Sequence, residues 1–183
     1  METKKEIRRA LLKRRDELPQ MQWAAFSDSI MDKVICHPLF QKTETIYCYM
    51  SYHHEVDTRN LISYALNIGK KVAIPKVLGR EMEFYYIRSL QDVQPGSKGI
   101  LEPKGEHDQL ANEERALMLM PLVGYDAHNN RLGYGGGYYD RYLQKHPEHH
   151  TMGLAFTLQK VTEIPVEETD WKLDIIITEE KGV

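Results

Sequence analysis

Two cysteines in 183 residues, Cys36 and Cys48, are too few for a disulfide framework and match no zinc or redox spacing. No stretch approaches the roughly 18 apolar residues of a membrane span, and the charged start M-E-T-K-K-E has no signal-peptide core. The excess of one charge is small. With 24 basic and 27 acidic residues, a net charge of −3 offers no field to gather nucleic acid or an anionic membrane. Together these features predict a soluble, cytoplasmic protein without nucleic-acid or membrane partners. Two familiar phosphate signatures are also missing. There is no G-x-x-x-x-G-K-[ST], and the third glycine of G-x-G-x-x-G would fall on Tyr138. No Ser-His or Cys-His arrangement stands out as a nucleophile.

What is present is an ordinary globular composition, 42% hydrophobic and 28% charged, on a chain sized for one domain. Residues 2–18 carry an apolar stripe (Ile7, Leu11, Leu12, Leu18) that predicts a helix stopped near Pro19. A second helix is expected from Trp23 to Ile35, closed by His37-Pro38, and a third from Thr58 to Ile68 ahead of Gly69. Strands are expected at Thr45–Tyr52, Lys71–Val77, Met82–Ile87, Leu117–Val123, Thr151–Phe156 and Asp174–Thr178. Pro75 should end its strand or sit at an unpaired position. Residues 95–115 read as a loop with a short polar segment, and Tyr138–Lys145 as a helix. Strands alternating with helices predict a single α/β domain over residues 1–183: a mostly parallel, Rossmann-like sheet with helices on both faces.

The densest chemistry lies in R-L-G-Y-G-G-G-Y-Y-D-R, Arg131 to Arg141. Gly133, Gly135, Gly136 and Gly137 let the backbone approach a ligand closely, and the helix start that follows suits phosphate. The segment follows a buried strand, where open α/β sheets bind ligands. Tyr138 and Tyr139 offer rings for stacking, and Asp140 a carboxylate for a metal, although acids in a first helical turn also serve as dipole partners. A glycine loop with no ligand is the plain alternative.

This segment resembles the signature of 5-formyltetrahydrofolate cyclo-ligases, also called methenyltetrahydrofolate synthetases. The likeness runs along the chain through Lys4-x-x-x-Arg8, Y-M-S-Y-H-H-E-V-D-T (Tyr49 to Thr58), A-I-P-K (Ala73 to Lys76), G-I-L-E-P (Gly99 to Pro103) and D-W-K-L-D-I-I-I-T (Asp170 to Thr178). Departures fall at Pro121–Asp126, where the family's usual Pro-Gly-x-x-Phe-Asp reads P-L-V-G-Y-D, and at Asn129, where glycine is common.

The resemblance implies that ATP phosphorylates the formyl oxygen of 5-formyltetrahydrofolate. N10 then attacks the activated carbon, and phosphate leaves as 5,10-methenyltetrahydrofolate forms. It assigns ATP to Lys4, Arg8, Arg131, Leu132, Gly133, Tyr134, Gly135, Gly136, Gly137, Tyr138 and Tyr139. It assigns the folate to Met50, Glu55 and Tyr134 through Tyr138, with Tyr138 facing the reacting groups. Mg²⁺ goes to Asp140 and Asp170, with Asp174 as the rival for the second place.

Read from the residues alone, Lys4 and Arg8 share a helix face that could be plain solvated surface, Met50 could be core and Glu55 a surface acid. His53-His54 and His149-His150 read as solvated neighbours rather than metal ligands. A monomer is expected, with a dimer left open. Two other functions stay in view: a sugar-phosphate isomerase or acyl-carrier transferase of similar build, and an RNA-binding module using the basic first helix.

Overall fold

In the computed structural model, residues 3–96, 99–105 and 109–180 are described. Helix α1 (Lys4–Asp16) starts at a capping box: the Thr3 hydroxyl accepts the Glu6 amide at 3.3 Å, and the Glu6 carboxylate accepts the Thr3 amide at 2.8 Å. The expected start at Glu2 lies outside the described residues. Helix α2 (Gln20–Cys36) runs into the five-residue α3 (Pro38–Lys42), where His37 Nδ1 accepts the Leu39 amide at 3.2 Å. Strand β1 (Thr45–Cys48) leads to α4 (Arg59–Asn67), which Gly69 ends at a φ of +84°.

The hairpin β2 (Lys71–Leu78) and β3 (Glu81–Ile87) follows, then a small ribbon of β4 (Val93–Pro95) and β5 (Leu101–Pro103). Strand β6 (Leu117–Pro121) precedes a second ribbon, β7 (Gly124–Tyr125) with β8 (Arg131–Leu132). Helix α5 (Tyr138–Lys145), β9 (His150–Leu154) and β10 (Ile175–Ile177) complete the order. No helix among the described residues is long and apolar enough to cross a membrane.

One six-stranded sheet organises the chain in the order β10-β9-β6-β1-β2-β3, parallel except for the β2–β3 pairing. Period-two alternation decides what each face buries. Ile46, Cys48, Val72, Ile74, Leu117 and Leu119 point to the side covered by α2 and α4. Tyr47, Ala73, Met118 and Met120 point to the side covered by α5 through Tyr142 and Leu143. Full burial of such a side chain contributes about 1.5–3 kcal/mol. Helix α1 packs elsewhere: Ile7 and Leu11 sit against Val123, Leu132 and Ile164 beyond the sheet end.

Several expectations need correcting. Strand β1 stops at Cys48 rather than Tyr52, because side chains take the next amides: Thr58 Oγ1 accepts from Ser51 at 3.1 Å and Glu55 Oε2 from Tyr52 at 2.8 Å. The 95–115 stretch contributes β5 and the end of β4, and Leu110 bridges to Tyr85. Pro75 does not end β2. It pairs with Phe84 but lies past the β1 ladder, which ends at Tyr47–Ala73, so that side demands no amide.

His149 is not solvated. It is buried against Tyr47 and Tyr142, its Nδ1 accepts the Ala116 amide at 3.3 Å, and burial pushes its pKa down to about 4. The folded state therefore binds that proton more weakly than the unfolded chain. The stability it supplies is complete above about pH 6.5 and is lost as pH falls toward 4. We expect urea midpoints to drop across that window, by roughly 2 kcal/mol in free energy, and the drop to shrink in His149→Gln. An equal drop in both proteins would place the acid sensitivity elsewhere.

Candidate active site

Beyond the carboxyl ends of β1, β2 and β6 opens a cleft of about 1300 Å³, the position where parallel sheets place ligands. Helix α1 forms one wall. Lys4 and Arg8, one turn apart, both reach the cleft, so that helix face is not plain solvated surface. Lys4 Nζ lies 2.6 Å from Asp170 and 3.0 Å from Glu167. Burial would lower its ammonium, but the bonds to Asp170 and Glu167 outweigh that and hold it above its ordinary value. Arg8 Nε donates to the Gly133 carbonyl at 2.7 Å, which fixes the start of the glycine loop on α1.

The loop needs its glycines. Gly135 and Gly137 have φ of +97° and +64°, and a Cβ on Gly136 would stand 2.6 Å from the Tyr138 ring. Gly137 then starts α5. Arg131, its side chain 5% exposed, pairs with Asp140 at 3.1 Å and lies 5.5 Å from the centre of the Tyr139 ring. Asp140 Oδ1 also accepts the Trp171 amide at 3.0 Å. That bond brings Asp140 beside Asp170, the residue before Trp171, and both line the cleft. Asp174 does not. Its carboxylate accepts the Thr151 amide at 2.8 Å at the start of β9, and it is absent from the cleft wall.

Apolar side chains also line the cleft, Met50, Pro75, Met82 and Leu101 among them, together with one buried acid. Glu55 is 9% exposed. Its Oε2 accepts the Tyr52 amide at 2.8 Å and its Oε1 the Tyr134 hydroxyl at 2.5 Å. Burial pushes the carboxyl above its ordinary value against these bonds. Glu55 is therefore no surface acid, while Met50 is both core and cleft wall.

Leu132 packs its side chain under α1. Tyr138 turns its hydroxyl to the Gly79 carbonyl at 3.4 Å, across the cleft mouth. His53 and His54 line the rim, with His54 Nδ1 3.8 Å from Asp16.

The profile of the 5-formyltetrahydrofolate cyclo-ligase family matches residues 1–179. The chain belongs to that family. A probable 5-formyltetrahydrofolate cyclo-ligase of Schizosaccharomyces pombe is 33% identical over 174 residues, 86% of this chain and 85% of the relative. The mouse 5-formyltetrahydrofolate cyclo-ligase is 32% identical over 82% of this chain and 81% of its own. Among solved structures, the 5,10-methenyltetrahydrofolate synthetase of Aquifex aeolicus superposes with a TM-score of 0.86 at 30% identity, covering 97% of this chain and 90% of that one.

One residue of this cyclo-ligase cleft escapes sequence reasoning. Arg15 is 4% exposed and donates from Nη1 to the Tyr134 hydroxyl at 2.6 Å. Its signal was available, since Lys4, Arg8, Leu11 and Arg15 fall on one stripe of α1 at spacings of three and four.

Proposed function

We propose that this chain converts 5-formyltetrahydrofolate and ATP to 5,10-methenyltetrahydrofolate, ADP and phosphate, as the names of its relatives indicate. The observation that carries the reading is what one cleft brings together. Cationic side chains, a glycine loop, apolar side chains and a buried carboxylate share about 1300 Å³, more than the 300–1,000 Å³ usual for one ligand.

Phosphoryl transfer asks for positioning and charge neutralisation rather than a protein nucleophile. Lys4, Arg8 and Arg131 supply the positive charge, and the Gly133–Gly137 backbone with the α5 N-terminus supplies amide donors. The bond from the γ-phosphorus to the β–γ bridging oxygen breaks as a bond to the formyl oxygen forms, and ADP leaves. The N10 lone pair then attacks the formyl carbon, the carbon–oxygen bond breaks with phosphate as leaving group, and N10 loses its proton. Glu55 accepts hydrogen bonds from the donor edge of the pterin, and Met50 with Tyr134 walls its ring.

Asp140 and Asp170 fit a hard divalent cation. Both offer oxygen alone, lie beside one another through Trp171, and leave the remaining positions to phosphate and water. Among the described residues no cluster of three or more such side chains forms a ready cage, so Mg²⁺ would come in with the nucleotide. Once bound, it would neutralise charge on the transferring phosphate. The net charge of −3 argues against nucleic-acid or anionic-membrane partners, and a cytoplasmic monomer remains part of the proposal.

The test is the near-ultraviolet absorbance of the methenyl product. Growth that requires both ATP and Mg²⁺ is expected. No growth from folded protein that still binds ATP would mean that the cleft serves other chemistry.

A further inference from the structure

Three side chains from distant parts of the chain form one hydrogen-bonded line across the cleft. Arg15, on the helix that carries Lys4 and Arg8, donates to the Tyr134 hydroxyl at 2.6 Å, and that hydroxyl donates to Glu55 Oε1 at 2.5 Å. Tyr134 belongs to the glycine loop, which Arg8 already ties to α1 through the Gly133 carbonyl. The line therefore runs from α1 through the glycine loop to the buried Glu55 carboxylate.

Glu55 has one further anchor, the Tyr52 amide on its Oε2, whereas the Arg15 guanidinium has little else. Among the described residues Arg15 Nε is buried with no hydrogen-bond partner, and no carboxylate forms an ion pair with the guanidinium. A buried arginine that ends on a neutral tyrosine is costly unless its charge acts on something nearby. The nearby acid is Glu55, one hydroxyl away. Burial and Glu55 itself push the Tyr134 hydroxyl upward, so it keeps the proton that it donates.

We propose that Arg15 is a positioning residue which, through Tyr134, aims the Glu55 carboxylate and holds it charged for the folate. This rests on the reading of Glu55 as the pterin's acceptor. Glu55 is faced by Arg15 from α1, Tyr134 from the glycine loop, Tyr139 from α5, Tyr49 after β1, and His53 with the Tyr52 amide in its own loop. Of these, Arg15 is the cation carried by an element outside that loop. The arrangement also makes the folate site depend on the placement of α1, whose Lys4 and Arg8 face the nucleotide.

The experiment follows Glu55 directly by carbon NMR of its side-chain carboxyl, identified by its absence in Glu55→Gln, in wild type, Arg15→Met, Arg15→Lys and Tyr134→Phe. Folate and ATP KM values are measured on the same proteins. Expected are a Glu55 titration moved to higher pH in Arg15→Met and Tyr134→Phe, and folate KM raised roughly tenfold with ATP KM little changed. Arg15→Lys should restore part of both. A double variant should be no worse than the worse single one, because the two act in series.

An unmoved titration in Arg15→Met, additive effects in the double variant, or equal increases in both KM values would overturn the proposal. If Glu55→Gln itself leaves folate KM unchanged, the pterin reading of Glu55 fails, and the NMR titration still decides whether Arg15 governs that carboxyl.

Discussion

Asp140→Asn is expected to lower kcat by about a thousandfold while binding of 5-formyltetrahydrofolate in the absence of ATP survives. The carboxylate meets the Arg131 guanidinium at 3.1 Å and the Trp171 amide at 3.0 Å, and it shares no hydrogen bond with Glu55 among the described residues. Asparagine keeps the shape and an acceptor for both donors but removes the charge that a divalent cation needs. Alanine is the poorer test. It would strand the largely buried Arg131 charge, and removing one partner of such a pair costs about 3–5 kcal/mol. Binding is read by calorimetry, kcat by product absorbance, and folding by the thermal midpoint. If kcat falls less than tenfold, Asp140 merely holds Arg131 and Trp171 in place. Loss of folate binding in a folded variant would mean that the nucleotide and folate portions of the cleft are not separable.

Glu55→Gln is expected to raise folate KM by about ten- to a hundredfold, with a much smaller effect on ATP. The pterin edge is rich in donors, and a carboxylate accepts where an amide must also donate. The pH dependence carries a sign. Burial raises the Glu55 carboxyl, so its ionisation is completed at higher pH than that of an exposed glutamate. Folate KM in the wild type should fall as pH rises through that value, and this limb should vanish in the variant.

The same shift makes the charged form a burden on the fold. The stability lost to ionisation is absent below the unfolded carboxyl's pKa and fully present above the raised one. Glu55→Gln should therefore melt no lower than wild type at neutral pH. Equal changes in both KM values, or an unaltered pH limb, would assign Glu55 to architecture alone.

The sheet was legible because its strands are made of what strands bury. T-I-Y-C, L-M-L-M and I-I-I are short apolar or β-branched runs of the kind a strand buried on both faces needs, and the α5 boundaries coincide with the expected Tyr138–Lys145. Short elements were not. The β7–β8 ribbon has two residues a side, and α3 starts at the Pro38 that reads as a stop. The β4–β5 ribbon hides among Pro and Gly: its strands are three residues long, and they are joined by the Gly96 amide donating to the Ile100 carbonyl at 2.8 Å.

The phosphate-facing half of the site was visible as a string of glycines flanked by arginines. Arg15 was passed over: it shares the stripe of Lys4, Arg8 and Leu11, but one basic residue among seven on a helix reads as solvated surface until the packing of that stripe is seen. Asp174 was the rival to Asp170 for the metal, with a plain role at the start of the last strand as its alternative, and the pairing of β9 with β10 brings its carboxylate to the Thr151 amide.

Lys4 and Asp170 meet across 166 residues of chain. A ribosome releases residues in order, so α1 emerges with its cations long before the carboxylates that receive them. Strand β6, at the middle of the sheet, must wait for β9, and β9 for β10. Contacts this distant in sequence slow folding, because the loops they close must be ordered before they contribute. During synthesis the cationic wall of the cleft is the first part made and among the last to find its partners. Until Asp170 has cleared the exit tunnel, that basic helix face stands open to any anion nearby.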